Sequence, residues 1–107
     1  MRKSGEYITD KIKGVASQVL PKGAHLMLYG SRARGDNRKD SDWDLLITLD
    51  KTSIEQQDYQ NIVFPITMLG WELQENFVPV LYTNKEWDNS KVSLFYKNVS
   101  RDAIMLL

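Results

Sequence analysis

Two aspartates, Asp42 and Asp44, stand at the start of an apolar segment that has the pattern of a buried β-strand. Because side chains alternate across a strand, residues two apart share one face, so the two carboxylates are expected roughly 6–7 Å apart. Carboxylates this close repel each other unless a cation lies between them. Mg²⁺ prefers oxygen ligands, commonly one or two carboxylates together with substrate phosphates. The pair therefore predicts a metal site that also receives a phosphate.

Gly30 and Ser31 are the residues that could hold that phosphate. Gly30 ends the apolar run that begins at Leu26, and it permits a backbone turn that a Cβ would obstruct. Ser31 is a favoured residue at a helix N-terminus, where exposed N–H groups and partial positive charge suit an anion. Arg32 and Arg34 follow at once, and their guanidinium groups match phosphate oxygens. Together with the aspartates, this turn predicts a site for a metal–triphosphate.

The same residues also have interpretations without chemistry. Asp42 and Asp44 could serve as turn and cap residues, since aspartate is common at strand ends, but their occurrence with a Gly-Ser turn favours the metal site. Arg32 and Arg34 could serve the phosphates, cover surface or pair with acids of the loop, and the sequence leaves these alternatives open. His25, the only histidine, has no partner for acid–base chemistry in the sequence and is interpreted as structural.

The elements around these motifs follow from the spacing of apolar residues. A helical stripe from Ile8 to Leu20, with Ser4 as its cap, predicts a first helix that packs on a sheet. Ser53 is predicted to cap a second long helix, in which Pro65 should cause a kink or interruption and Gly70 a further weakness. This second helix has more apolar residues than one face can bury, so part of its surface is expected to contact a partner chain or a neighbouring helix. For any single one of these residues, the core remains the favoured assignment.

A third strand is predicted at Phe77–Tyr82, and Pro79 within it suggests a bulge or an edge position, because proline cannot donate to a strand ladder. Ser90 or Ser93 is expected to begin a last helix. The final residues, 103–107, are expected to form a short strand or a tail.

Composition limits the class of protein. The chain has 107 residues, with 14 Lys and Arg against 14 Asp and Glu, and zero net charge argues against a protein that binds nucleic acid mainly by neutralising phosphates. There is no cysteine, no apolar core of a signal peptide and no run near the ~20 apolar residues of a membrane span. A single cytoplasmic domain over residues 1–107, without a membrane partner, is expected.

The two motifs together resemble a known family. Gly30-Ser31-Arg32-Ala33-Arg34-Gly35, followed by Ser41-Asp42-Trp43-Asp44-Leu45-Leu46, is similar to the signature of the minimal nucleotidyltransferases of the DNA polymerase β superfamily. The segments at 80–87 and 93–99 resemble later parts of such domains. The resemblance implies an α/β (α+β) fold, with a small mixed β-sheet flanked by helices.

The resemblance is incomplete at a third carboxylate, which enzymes of this superfamily typically carry on the strand beside the aspartate pair. Here that strand should be Phe77–Tyr82, which contains no acid, and Pro79 or its neighbour occupies the expected position. Glu72, Glu75 and Asp88 lie nearby in the sequence, but none matches the motif. Slow transfer, an acid from elsewhere, and nucleotide binding without chemistry all remain open.

The resemblance implies an enzyme that transfers a nucleoside monophosphate, AMP from ATP, to a hydroxyl on a partner protein. Gly30 and Ser31 would hold the β- and γ-phosphates, Asp42 and Asp44 would bind Mg²⁺ or Mn²⁺, and Arg32 or Arg34 would offset phosphate charge. Minimal domains of this family are often paired with a small helical HEPN protein, as antitoxin with toxin. The alternative is a weak or inactive nucleotide-binding module that acts by binding its partner. Assembly into a homo-oligomer is left open in either case.

Overall fold

A computed structural model describes residues 4–107 of the chain and contains one four-stranded sheet. Residues 1–3, part of the N-terminal segment expected to lack a signal peptide, lie outside the described residues. The strands, in chain order, are β1 (His25–Tyr29), β2 (Trp43–Leu49), β3 (Phe77–Thr83) and β4 (Ile104–Met105).

The sheet has the strand order β3-β2-β1-β4 and is mixed. Strand β1 runs antiparallel to both β2 and β4, whereas β2 and β3 are parallel. Strand β3 is therefore an edge strand, which is where proline is tolerated because it cannot donate to a strand ladder. The predicted fold class, a small mixed sheet flanked by helices, is confirmed.

Six α-helical segments and one π-helical segment flank this sheet within residues 4–107. They are α1 (Gly5–Val19), α2 (Ser31–Arg34), α3 (Gln56–Asp58), the π-helical segment (Tyr59–Val63), α4 (Phe64–Leu73), α5 (Asn84–Asp88) and α6 (Leu94–Asp102). Helix α1 begins as predicted, because the Ser4 hydroxyl accepts a hydrogen bond of 3.1 Å from the backbone N–H of Tyr7. No helix in this part of the chain has the length and apolar character that crossing a bilayer requires.

The predicted cap of the second long helix is wrong. Glu55, not Ser53, caps α3: its side chain accepts from the backbone of Asp58, and the Asp58 carboxylate accepts 2.8 Å from the Glu55 N–H. Lys51 adds an ion pair to Asp58 at 2.9 Å, which fixes the start of the helix at this box. The interruption predicted at Pro65 is present as the π-helical segment just before it, where the Phe64 N–H bonds to the Tyr59 carbonyl.

The sheet has two differently covered faces. On the first, the main-core face, alternate residues of β2 pack against the buried stripes of α1 and α4. On the second, the carboxylate face, Leu46 packs against Trp87 of α5 and Val99 of α6. Asp44 shares this second face because it lies two residues from Leu46. The predicted metal ligands thus lie just before β2 (Asp42) and at its start (Asp44), and the rest of the strand is buried on both faces.

Candidate functional site

Asp44 lies in the middle of the sheet at the beginning of β2. Its backbone is paired with Tyr29 of β1 on one side and with Val78 of β3 on the other. Asp42 precedes the strand, is exposed, and accepts a hydrogen bond of 2.7 Å on Oδ1 from the amide of Asn76. The backbone N–H of Trp43, between them, donates to the Asn76 carbonyl at 2.9 Å. Asn76 thus holds both the backbone at the start of β2 and the Asp42 carboxylate in place.

The electrostatics of the pair suit a cation. Partial burial raises the pKa of Asp44, the negative charge of Asp42 raises it further, and the positive charge of Arg34 opposes the shift. A charge that is both desolvated and repelled gains from a hard divalent ion, whose preferred ligands are carboxylate oxygens. The donor set of Asp42 and Asp44 therefore fits Mg²⁺ or Mn²⁺.

Gly30 brings the predicted phosphate turn against this carboxylate. Its φ of 77° and ψ of −159° are accessible to glycine and strained for other residues. A Cβ at this position would overlap Oδ2 of Asp44, so no side chain fits between the turn and the strand. The Gly30 carbonyl accepts from the N–H groups of Ala33 and Arg34 at 3.1 and 3.0 Å, which makes it the residue before α2. Ser31, the first residue of α2, directly follows the glycine that lies against Asp44.

Arg32 contacts Trp43 and the loop before β2. Its guanidinium lies 4.6 Å from the ring centroid of Trp43 and donates to the Ser41 carbonyl at 3.0 and 3.2 Å. A longer contact of 3.5 Å joins it to Glu75, whose Oε1 also accepts 2.7 Å from the Trp43 indole N–H. With its side chain only 9% exposed, Arg32 fastens the loop before β2 to the sheet. The structure favours this positioning role over a phosphate contact.

Arg34 remains on the side of the aspartates. It donates to Asp36 at 3.0 Å and to Asp102 of α6 at 2.8 Å, and its side chain is 41% exposed. Its charge also lowers the pKa of Asp44, so it lies within electrostatic range of the site. Arg34 therefore combines two of the sequence alternatives, a pair with a loop acid and a cation near the proposed phosphates.

Three residues around the site were not predicted from the sequence: Tyr29, Asn76 and Asp102. Burial, then Asp44 and Tyr82, raise the pKa of Tyr29 to about 12, which agrees with its position opposite Asp44. The positions of Asn76 and Asp102 depend on long-range packing, because they come from the start of β3 and the end of α6. Tyr29 alone carried a local signal, as the last residue of the strand before Gly30.

Among residues 4–107, strand β3 brings no third carboxylate to the aspartate pair. Strand β3 places Val78 beside Asp44 and Val80 beside Leu46, whereas Pro79 pairs with Leu45 and belongs to the main-core face. The neighbours of Pro79, rather than Pro79 itself, therefore stand beside the aspartates. Glu75 bonds to Trp43 and Arg32 instead. Within residues 4–107, no group of three or more acidic, histidine or cysteine side chains could hold a metal ion.

Comparison with known proteins agrees with this fold. Residues 9–99 match the family described as nucleotidyltransferase domain. A search of curated proteins gives no significant match. A crystal structure of a toxin–antitoxin with AMP-PNP superposes with a TM-score of 0.67 at 18% sequence identity, over 92% of this chain and 72% of that chain, and at this identity the likeness is one of fold. The match over most of its length shows that this chain belongs to the nucleotidyltransferase domain family.

Proposed function

We propose that this chain transfers AMP from ATP to a hydroxyl on a partner protein, in the presence of Mg²⁺ or Mn²⁺. One observation carries the proposal: the Gly30 turn and the Asp44 carboxylate are so close that a Cβ would not fit between them. A phosphate at the turn and a cation at the carboxylates would consequently be neighbours. We also propose that residues 1–107 form one such domain, acting in the cytoplasm.

The residues of the site fall into two groups, those that would contact phosphates and those that would contact the metal. The turn at Gly30 and Ser31 would hold the β- and γ-phosphates, and Arg34 would offset phosphate charge from the side of α6. Asp42 and Asp44 would hold the metal, and Asn76 would keep the Asp42 carboxylate in place through its 2.7 Å hydrogen bond. When bound, Mg²⁺ would neutralise charge on the phosphates and on the leaving pyrophosphate.

The transfer itself is a substitution at phosphorus. The oxygen of the acceptor hydroxyl forms a bond to the α-phosphorus, and the bond from that phosphorus to the bridging oxygen breaks. Pyrophosphate leaves, and the hydroxyl proton is released to solvent. The chain contributes position and charge to this step, which are the main contributions of proteins to phosphoryl-type transfers.

The partner in this proposal is a HEPN-type protein, with the present chain as its antitoxin. Support comes from the family resemblance and from the structural neighbour, itself a toxin–antitoxin with AMP-PNP. The neighbour's nucleotide analogue also supports ATP as the donor, which the family resemblance implies.

The decisive experiment measures ATP binding by calorimetry with and without Mg²⁺, in wild type and in Asp42→Ala/Asp44→Ala. The same samples receive ATP labelled on the α-phosphate and a candidate partner. We expect Mg²⁺-dependent binding that the double variant loses, and label on the partner protein. Asp40→Ala is the matched control, because Asp40 is an exposed acid of the same loop. Equal binding by wild type and double variant would overturn the proposal.

A second candidate is a nucleotide-binding module that acts by binding its partner without chemistry. The valines at 78 and 80 favour it, because they stand where a further metal ligand would be needed. ATP binding that depends on Mg²⁺ and on both aspartates, but with no label on any acceptor, would establish this module in place of the transferase.

A further inference from the structure

Three aromatic rings form a shelf on the carboxylate face of the sheet. The aromatic shelf consists of Tyr29, Tyr82 and Phe95, whose rings come from β1, β3 and α6. The Phe95 ring lies 5.6 Å from that of Tyr29 at 85° and 6.4 Å from that of Tyr82 at 27°. Behind it, the ring of Trp87 lies 6.0 Å from that of Phe95 and closes the hydrophobic cluster. Phe95 is thus nearly parallel to Tyr82 and meets Tyr29 and Trp87 edge to face.

The shelf is adjacent in sequence to the proposed phosphate turn. Tyr29 immediately precedes Gly30 and lies opposite Asp44 across the β1–β2 pair, so one residue joins the shelf to the turn and to the carboxylate. Facing residues in such a pair have Cα atoms about 4.5–5.5 Å apart. An extended molecule with phosphates at Gly30 would therefore have its next groups within reach of these rings.

The shelf is open to solvent at its outer member. Phe95 is 37% exposed, whereas Trp87 behind it is 9% exposed. Burying the remaining surface of an aromatic ring is favourable, and a planar ligand does so with good stacking geometry. An exposed ring near a carboxylate pair and a phosphate-binding turn offers contacts to both ends of a nucleotide.

We propose that the aromatic shelf is the base-binding part of the site, with the nucleotide base stacked on Phe95 beside Tyr29. This inference rests on the proposed function, since it requires phosphates at Gly30 and Ser31. Stacking is tolerant of the base because every base has a π-face. The shelf therefore supplies affinity for nucleotides over other triphosphates, and it does not by itself select adenine.

The first test needs no variant. Calorimetry with Mg²⁺ compares ATP with ribose 5′-triphosphate, which lacks only the base. We expect wild type to bind ATP about five- to a hundredfold more tightly, the range that base–aromatic stacking produces. Equal affinities for the two ligands would overturn the proposal that the aromatic shelf binds the base, and would leave the proposed function intact. Failure to bind either ligand would overturn both.

The second test locates the effect on the shelf. Phe95→Leu keeps an apolar side chain but removes the ring, and Leu94→Ala is the matched control, since Leu94 is 73% exposed at the adjacent position. We expect Phe95→Leu to weaken ATP binding at least about fivefold while ribose 5′-triphosphate binding stays unchanged. Unchanged ATP affinity with slower transfer would overturn the proposal and assign the shelf to the acceptor. Equal weakening of both ligands would overturn it too.

Discussion

Asp44 needs its charge for the proposed site, yet its surroundings oppose that charge. Partial burial and the neighbouring Asp42 both raise its pKa. A raised carboxyl pKa means that the folded state holds the proton more tightly than the unfolded state. The stability of the fold therefore decreases as the pH rises from the unfolded pKa of about 4 through the raised folded value.

We expect Asp44→Asn to unfold at a higher temperature than wild type at pH 7 in the presence of a chelator, because the amide removes the repelled charge. The difference should shrink as the pH falls below about 4, where wild type is protonated as well. Thermal unfolding followed by circular dichroism measures both. Asp40→Asn, at an exposed position, is the control. A lower melting temperature for Asp44→Asn at pH 7 would contradict this account.

The contacts of a site residue were predictable when its partners lie close to it in the sequence, and not when they come from distant elements. The Gly-Ser turn and the aspartate pair are close in sequence, so their joint placement followed from strand alternation and turn chemistry. The roles of Arg32 and Arg34 stayed open because their partners, Glu75 and Asp102, come from distant elements. No local pattern could have chosen between these alternatives.

Of two glycines within helices, Gly70 shows how packing between elements overrides helix propensity, and Gly14 gives the contrast. A Cβ at Gly70 of α4 would lie 3.0 Å from the Glu75 carbonyl oxygen and 3.0 Å from the ring of Phe77. Gly70 is therefore the point where α4 approaches the start of β3. Gly14 of α1, in contrast, is exposed, and a Cβ added to it would have nothing within 4 Å.

We expect opposite effects from replacing these two glycines by alanine. Gly14→Ala should increase the free energy of unfolding by about 0.5–1 kcal/mol, because alanine is the better helix former. Gly70→Ala should decrease it by about 1–3 kcal/mol, because overpacking against a backbone carbonyl outweighs the propensity gain. Urea denaturation of both variants beside wild type gives the values. A stabilised Gly70→Ala variant would refute the close approach of α4 and β3.

At the scale of elements, the presence of each helix and strand was more predictable than its ends. The strands, the first helix and the edge position of β3 followed from apolar spacing and from Pro79. The start of the second long helix was not predictable, because Ser53 and the Glu55–Asp58 box are both acceptable caps. The ion pair between Lys51 and Asp58 accompanies the Glu55–Asp58 box. Competing local signals were resolved by a contact outside the local pattern.

For the molecule as a whole, the two sides of the sheet serve different purposes in our proposals. The carboxylate face holds the candidate site, whereas α4 packs on the main-core face. The outward side of α4 and the π-helical segment carries an apolar stripe, whose side chains are between 45% and 64% exposed. The stripe consists of Tyr59, Phe64, Met68 and Trp71. An apolar surface of this kind is typical of protein–protein contact, which the excess of apolar residues in this helix also indicated.

We expect Phe64→Ser/Trp71→Ser to weaken binding of a HEPN-type partner at least about tenfold, since exposed aromatic residues often dominate interface energies. Binding of Mg²⁺–ATP should stay unchanged, because the stripe and the site lie on opposite sides of the sheet. Calorimetry with each ligand separates the two effects. Val92→Ser, at an 88% exposed position outside the stripe, is the control. Full partner affinity in the double variant would exclude the stripe as the docking surface.

The π-helical segment has a consequence for the evolution of this surface. A π turn closes its hydrogen bond over one more residue than an α turn, so Tyr59–Val63 accommodates what is in effect a one-residue insertion. Tightening the segment to α geometry at its present length would rotate Ile66 and Leu69 off the core by about 100°. Deleting one residue from it would instead restore a regular helix and keep both flanks in register. Length changes at this point are therefore absorbed within the helix, and the sheet with its candidate site need not move.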